Sequence, residues 1–531
     1  MLSEQTPQPM NARPVIEPTL RRTNSGSTAV ERQNDISDLE AGPHGVQEKL
    51  GPLSPLPGKQ QENSENAATN LVDWDGPNDP ANPLNKSTAH KWLIMVVVGS
   101  ATICVTCSSS IASFTYRGMQ QDFHISQEVA TLSVSIFIAG LGLGPIVLAP
   151  LSEFYGRSPI YLYGYLFYSA FGFMSAFGNF PGLLVGRFIQ GVAGSAFLSV
   201  AGGSVTDMWA GNKVGRPVPF PFSGPILGPL FGAWINLRVH WRWTYYLMTI
   251  WSFSELLLLF LFVPETFAPV LLKKKARKLR KESGNTKLRS KKELEEDAME
   301  DSNAMYVFKS IGRPFEILFT EPMAFLLCLW CALLLGILYS FFGAFAIIFS
   351  RKGLNEGDIG LTFIGIGTGI VIATVMNATI FPQIYAGTAK RLGRKPPPEE
   401  HLKKGMVAAI MGPISLFWFA WTSQPSVHWA VPVVASVFFG ISFTLAFTAS
   451  FTYLVDAYRP YAASAMGANS FLRSSFAAGF PLFIDQMYNK LGVTWAGSLI
   501  AFLLLAMAPF PFLFFRYGER LRQRSKFSDR T

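Results

Sequence analysis

Twelve runs of about 20 residues in this chain carry almost no charge, and that pattern restricts the fold more than any motif does. A helix needs about 20 apolar residues to cross a ~30 Å hydrocarbon core, and a backbone in lipid must satisfy its own hydrogen bonds. The first half offers runs at about 91–113, 129–150, 159–179, 182–206, 217–236 and 243–263. The second half offers about 320–349, 358–382, 405–422, 428–451, 464–485 and 492–515. Charged residues are 15% of the chain against 49% hydrophobic, and they gather in the tails and a few connections, which leaves the runs intact. The expected fold class is an all-α polytopic membrane protein with twelve transmembrane helices.

The same reading divides the chain into five parts. Residues 1–88 form a tail rich in Pro, Ser, Asn, Gly and Gln, a composition that predicts disorder. Residues 89–264 make a six-helix bundle, 265–318 a hydrophilic central loop, 319–516 a second six-helix bundle and 517–531 a short tail. The start, Met1-Leu2-Ser3-Glu4-Gln5-Thr6, has no apolar core of the signal-peptide kind. The Trp74-Asp75-Gly76-Pro77 turn is expected just before the first helix. An even number of crossings puts both termini on one side of the membrane.

Basic residues say which side. Lys273, Lys274, Lys275, Arg277, Lys278, Arg280 and Lys281 follow the sixth run, and Lys390, Arg391, Arg394, Lys395, Lys403 and Lys404 follow the eighth. The opposite connections are poorer in them, although Arg117, Arg238, Arg242, Arg351 and Lys352 blur the asymmetry. The positive-inside rule therefore predicts cytoplasmic termini. It also explains the formal charge of +10 without invoking nucleic acid, since no basic patch lies outside these loops and tails. The central loop passes from basic to acidic at Glu293, Glu295, Glu296, Asp297, Glu300 and Asp301. It reads either as an amphipathic helix on anionic lipid with a solvated acidic part, or as a charged linker.

One polar turn is clamped between the second and third runs: Ala149-Pro150-Leu151-Ser152-Glu153-Phe154-Tyr155-Gly156-Arg157. Gly140, Gly142 and Gly144 precede it, and small residues let a neighbouring helix approach closely. A weaker echo, Leu392-Gly393-Arg394-Lys395-Pro396, stands in the second half and suggests a duplicated bundle. Cys104 with Cys107, and Cys328 with Cys331, lie at helical spacing inside apolar runs without a nearby His, so they read as packing residues rather than a metal site. His44, His90, His124, His240, His401 and His428 are scattered. No nucleotide-binding motif, cofactor site, metal site or catalytic nucleophile is expected, and the chain does not read as an enzyme.

Several local patterns together resemble a known family. Six plus six helices, a central loop and a Gly-Arg turn after the second run resemble the major facilitator superfamily. Trp74-Asp75-Gly76-Pro77-Asn78-Asp79-Pro80, Gly186-Arg187-Phe188-Ile189-Gln190-Gly191 and Val205-Thr206-Asp207-Met208-Trp209 narrow the resemblance to its fungal twelve-helix drug:proton antiporters. Trp241-Arg242-Trp243-Thr244-Tyr245, Val263-Pro264-Glu265-Thr266 and Tyr453-Leu454-Val455-Asp456-Ala457-Tyr458 extend it, and it runs from about residue 72 to about 516.

The resemblance implies roles for particular residues. Glu153, Gly156 and Arg157 match a loop that holds one face closed by charge pairing, with Asp207 and Asp456 as candidate partners. Ser158 replaces a second basic residue usual there. Arg187 matches a buried arginine of the fourth helix, expected to bind substrate or couple protons, with Gln190 one turn along and Arg473 as its second-half counterpart. Gly224, Pro225, Gly228, Pro229 and Gly232 resemble an antiporter motif in a short, proline-rich fifth helix. The fold implies a midplane cavity, for which Thr102, Thr106, Ser108, Ser109, Tyr339, Phe341, Phe342, Asn377, Phe439, Phe443, Thr444, Phe447 and Asn469 are candidates. Glu255, the clear acid in mid-span, reads either as a proton site or as a protonated scaffold residue. Gly343 stands where the family often carries an acid.

The expected activity is proton-coupled export of small organic molecules: a secondary metabolite, toxin or drug. A cavity holding Arg187 and short of carboxylates favours neutral or anionic amphipathic cargo. A polyamine exporter, an organic-acid transporter and a non-transporting membrane receptor remain as alternatives. The expected partners are that cargo, protons and the lipid bilayer of the plasma or vacuolar membrane, with the chain monomeric.

Overall fold

The computed structural model describes residues 71–209, 224–298 and 303–528, all within one unit that begins at Pro55. Helices carry nearly all of the regular structure among them, and one isolated bridge pairs Leu71 with Arg289. In the first half, α1 spans Thr88–Ile111, a short α2 Tyr116–Phe123, α3 Gln127–Tyr155 and α4 Arg157–Phe177. The fourth crossing is broken into α5 (Phe180–Gly194), α6 (Ala196–Ser199) and α7 (Ala201–Met208). Next come α8 (Gly224–Arg238) and α9 (Arg242–Phe262). The central segment holds α10 (Ala268–Ser283), α11 (Lys291–Ala298) and α12 (Asn303–Thr320).

The second half begins with α13 (Pro322–Arg351), followed by α14 (Glu356–Thr362) and α15 (Ile364–Leu392), which together form one crossing. It continues with α16 (Leu402–Thr422), α17 (Ala430–Ala457), α18 (Ala462–Met507) and α19 (Pro509–Arg524). Gly492 interrupts α18 at φ 78°, ψ 162°, so that its two arms are separate crossings. Among the described residues nine helical stretches are long and apolar enough to span a membrane, and the one at 462–524 contains this bend. The chain is a multi-pass membrane protein.

Close helix contact recurs in the same place in each half. In the first, a Cβ on Gly140 would lie 2.5 Å from the Phe188 carbonyl and one on Gly191 would lie 2.1 Å from that of Phe137. In the second, Gly369 and Gly440 stand in the same relation to the carbonyls of Val437 and Ile366, at 2.1 and 2.3 Å. Crossings two and four therefore meet backbone to backbone, as do crossings eight and ten. Without a hydrophobic drive between helices in lipid, small-residue packing of this kind supplies the attraction.

Several sequence expectations change. The polar turn at 149–157 is not a loop: α3 runs through Tyr155, α4 begins at Arg157, and Gly156 at φ 101° is the whole break. Residues 71–87 were expected to share the disorder of the tail, but they form a folded turn. The Asp79 carboxylate accepts hydrogen bonds from the Asp75 and Ala81 amides, which hold it below the usual carboxylate range. Residues 1–70 lie outside the described residues, as does 217–223 of the expected fifth helix. Its described part, α8, has 15 residues, about 22 Å of helix, which is less than a full crossing.

Candidate functional site

The joint between α3 and α4 gathers charges from distant parts of the chain. A helix break leaves free carbonyls on one side and free amides on the other, and opposite ends of the helix dipoles face one another. Lys292 meets the first end, its Nζ donating to the carbonyls of Glu153 and Phe154 at 2.6 and 2.8 Å. Glu265 meets the second. Its Oε1 accepts from the amides of Arg157, Thr266 and Phe267 at 2.9 Å each, and its Oε2 from Ser158 at 3.3 Å. In the sequence Glu265 belongs to the Val263-Pro264-Glu265-Thr266 signature and Lys292 to the basic part of the central segment, and neither place points to this joint. Only the contact across the fold reveals them.

Arg157 points from this joint into the first bundle. Its Nε donates to Asp207 Oδ2 at 3.2 Å, its Nη1 to Ser152 Oγ at 2.6 Å, and its guanidinium lies 4.6 Å from the Phe267 ring centre. Glu153 is exposed, and Arg157, Lys292 and Arg313 are the positive charges that act on it. Asp456 is not a partner of the joint. It serves the second half, where Lys395 Nζ, His401 Nε2 and Arg459 Nη2 lie 3.3, 3.0 and 3.3 Å from its oxygens. The Lys395–Asp456 pair thus echoes Arg157–Asp207. Ser158, lacking a basic side chain, instead donates its hydroxyl to the Val263 carbonyl at 3.0 Å.

The central segment is tied down rather than loose. Arg280 grips Glu293 with two hydrogen bonds of 3.0 and 2.8 Å and holds that carboxyl down to about 2. Lys273 pairs with Glu296, and Arg289 with Asp297. Glu293 and Glu296 therefore fold back on basic residues, whereas Asp297 stays exposed beside Arg289. Lys275 reaches the folded turn before α1, 2.7 Å from Asp75 and 3.3 Å from Asp79.

Arg187 is 1% exposed and fully engaged within the first half. It donates to the Ser133 carbonyl at 3.0 Å and to the hydroxyl and carbonyl of Ser108 at 2.9 Å each, and it stacks 4.0 Å from the Phe137 centroid. Gln190 also turns inward to its own bundle, accepting from Ser175 and donating to the Tyr168 carbonyl. Glu255 is buried between α1 and α9, where Oε1 accepts from Ser100 Oγ at 2.5 Å and Trp251 Nε1 at 3.0 Å. Gly224, Gly228 and Gly232 line one side of α8, and a Cβ on each would strike Thr106, Ser110 and Ile111 of α1. Pro225 and Pro229 are buried beside them.

Buried polar atoms without partners occur in both halves, and those of the second half include an amide and a guanidinium. Asn469 is wholly buried, yet neither its amide oxygen nor its amide nitrogen has a hydrogen-bond partner among the described residues. Arg473, one turn along α18, has a buried Nε without a partner and lies 5.6 and 5.4 Å from the rings of Phe447 and Phe451. Asn377 accepts from Thr448 at 3.3 Å but leaves its Nδ2 unpaired. Phe443 stacks on Phe447 at 4.3 Å, and Phe342 packs against Tyr339 at 5.2 Å. Thr106 spends its hydroxyl on the Thr102 carbonyl of its own helix.

Polar contacts join the halves directly at a face away from the α3–α4 joint. Ser109 and Tyr339 share a hydrogen bond of 2.6 Å, Gln127 Nε2 donates to Asp485 Oδ2 at 2.5 Å, and Arg117 pairs with Glu356. A groove of about 630 Å³ lies between α4 and α9, lined by Leu162, Leu166, Leu257 and Phe260 with Glu265 and Lys274.

A family model described as Major Facilitator Superfamily matches residues 98–481. The efflux pump atB of Aspergillus terreus is 39% identical over 95% of this chain and 97% of its own length. The multidrug transporter mdrA of Aspergillus fumigatus is 39% identical over 86% of this chain and 75% of its own. Among solved structures, the proton:xylose symporter XylE aligns at a TM-score of 0.55 and 14% identity, over 81% of this chain and 96% of that one, which bears on the fold alone. With a family model over most of the chain, relatives along most of its length and matching helix contacts in its two halves, this chain belongs to the major facilitator superfamily.

Proposed function

We propose that this chain is a proton-coupled secondary transporter that exports neutral or anionic amphipathic molecules by alternating access. The observation that carries the cargo class is that Arg473 Nε and both amide atoms of Asn469, one turn apart on α18, are buried without the hydrogen-bond partners that buried polar groups normally have among the described residues, with Arg473 beside the rings of Phe447 and Phe451. An aromatic wall with a few convergent polar groups is the usual make-up of a small-molecule site. Relatives named as efflux pumps support the export direction. Direct contacts between the halves on the face remote from Arg157 support a state closed there, with cargo loaded from the other face.

The orientation follows from the basic residues: Arg157, Asp456 and the central segment face the cytoplasm, and the membrane is the plasma membrane. The chain acts as a monomer and as a carrier rather than an enzyme. Arg187, whose Nε, Nη1 and Nη2 all donate, ties α5 to α1 and α3. The test is efflux from proteoliposomes under an imposed pH gradient, with carboxyfluorescein, a neutral azole and spermidine as probes. Gradient-driven movement of the first two, lost in Arg187→Ala, is the expected result. Movement of spermidine alone would assign a polyamine exporter. Flux of none, with signalling lost on tail deletion, would assign a receptor.

A further inference from the structure

The seam between the halves contains a carboxylate that the sequence reading did not single out. Asp485 lies on α18, and its Oδ2 takes the Gln127 hydrogen bond across the seam. Its Oδ1 is buried and has no hydrogen-bond partner. That oxygen points at the bare backbone of Gly343, where a Cβ would stand 3.0 Å away. The position left without an acid on α13 is thus supplied with one from α18.

Beside Asp485 lies a cavity of about 20 Å³, bounded by Tyr116, Thr131, Tyr339, Phe342 and Gly343. That is room for about one water. Tyr339 also forms the second contact between the halves, through Ser109. Both contacts therefore border one water-sized space. The groups that face Asp485 are Gln127 and Glu128 from α3, Tyr116 from α2 and Tyr339 from α13. None is a cation, and Glu128 has the same charge as the ionised acid.

Closing this face takes one oxygen of the half-buried Asp485 carboxylate out of water, offers the other one neutral amide donor and sets the group near a like charge. The neutral acid avoids both costs, and its carbonyl oxygen still accepts from Gln127. We propose that Asp485 is the proton-binding gate residue of the remote face: a proton on its carboxylate closes that face, and ionisation frees it. The inference rests on the reading of the chain as a proton-coupled exporter, to which it adds the residue and the side at which the proton acts. A proton taken up from the remote side then shifts the population toward the state open at the Arg157 face, where cargo is loaded.

The test measures the gate and needs no cargo. Nitroxide labels at Gln121→Cys and Lys490→Cys, both exposed at the remote face, report its opening in the full chain, and the four native cysteines are buried. Lowering the pH from about 8 to about 5 should raise the short-distance population threefold or more in the parent. Asp485→Asn should hold the short distance at both pH values, and Asp485→Glu should keep the pH response. A response that survives in Asp485→Asn but disappears in Glu255→Gln would overturn the inference while leaving proton coupling intact. No response in the parent would overturn the inference, and gradient-driven probe flux in the same preparation would show that the transport reading survives.

Discussion

Gly156 lets the Glu265 carboxylate approach its backbone closely: a Cβ at position 156 would lie 2.1 Å from Glu265 Oε2. The backbone there also sits at φ 101°, a region that side chains rarely adopt. Gly156→Ala should therefore cost about 1–3 kcal/mol through strain, beyond any clash. The check is thermal unfolding in detergent. Gly156→Ala with Glu265→Ala should recover only part of the loss, because the second change relieves the clash and not the backbone.

Arg157 and Asp207 form a pair whose side chains are 11% and 14% exposed, so solvent screens it little. Removing one partner of such a pair leaves a poorly solvated charge and costs up to about 3–5 kcal/mol. Either Arg157→Ala or Asp207→Ala should lower efflux at least tenfold. The exchange of both, Arg157→Asp with Asp207→Arg, should restore part of it. Equal loss in the double exchange would mean that Ser152 and Phe267, not the charge pair, decide the effect.

The crossings were legible because lipid demands long uncharged runs, and each such run declares itself within about 20 residues. The Arg157 turn was legible as a pattern but not as an arrangement. Glu265 lies 108 positions from Arg157, and no local periodicity connects them. Asp485 was missed for a related reason: at the polar end of a span it reads as a boundary residue, and only the packing of α13 and α3 turns it inward. Gln190 shows the reverse. Its place one turn from Arg187 suggested a cavity residue, yet helical spacing alone does not decide which neighbour a side chain meets.

Glu293 gives a pH dependence outside the membrane. Its carboxyl is held down to about 2, chiefly by Arg280, against an ordinary value of 4.5. A depressed acid stabilises the fold above the unfolded value and loses that contribution as the pH falls through the folded one. The α10–α11 hairpin should therefore be equally protected from protease at neutral pH and at about pH 5, and should loosen only between about 4.5 and 2. Glu293→Gln should loosen it at neutral pH, giving cleavage between Ser283 and Lys291 several-fold faster.

Glu255 is expected to act as scaffold. Ser100 and Trp251 both donate to its Oε1, an arrangement that a glutamine carbonyl can reproduce. Glu255→Gln should keep gradient-driven flux within about twofold, whereas Glu255→Ala should lower the unfolding temperature by leaving two donors unpaired. Loss of flux in the glutamine variant with an unchanged melting temperature would move the proton site to the sixth crossing.

Arg473 and Asp485 share α18 but lie twelve positions apart, about 18 Å along the helix axis. One helix can thus present a cation to cargo at one level and an acid to the gate at another. Replacing Arg473 by Ala should raise the KM for an anionic probe about tenfold or more, since a charge-assisted hydrogen bond is worth about 1.5–3 kcal/mol. A neutral probe should be nearly unaffected. Asn469→Ala should weaken both probes by a smaller and similar factor, because the amide offers a donor and an acceptor without charge. Equal losses for anionic and neutral probes in Arg473→Ala would show that the arginine holds α17 against α18 through Phe447 and Phe451 rather than meeting the cargo.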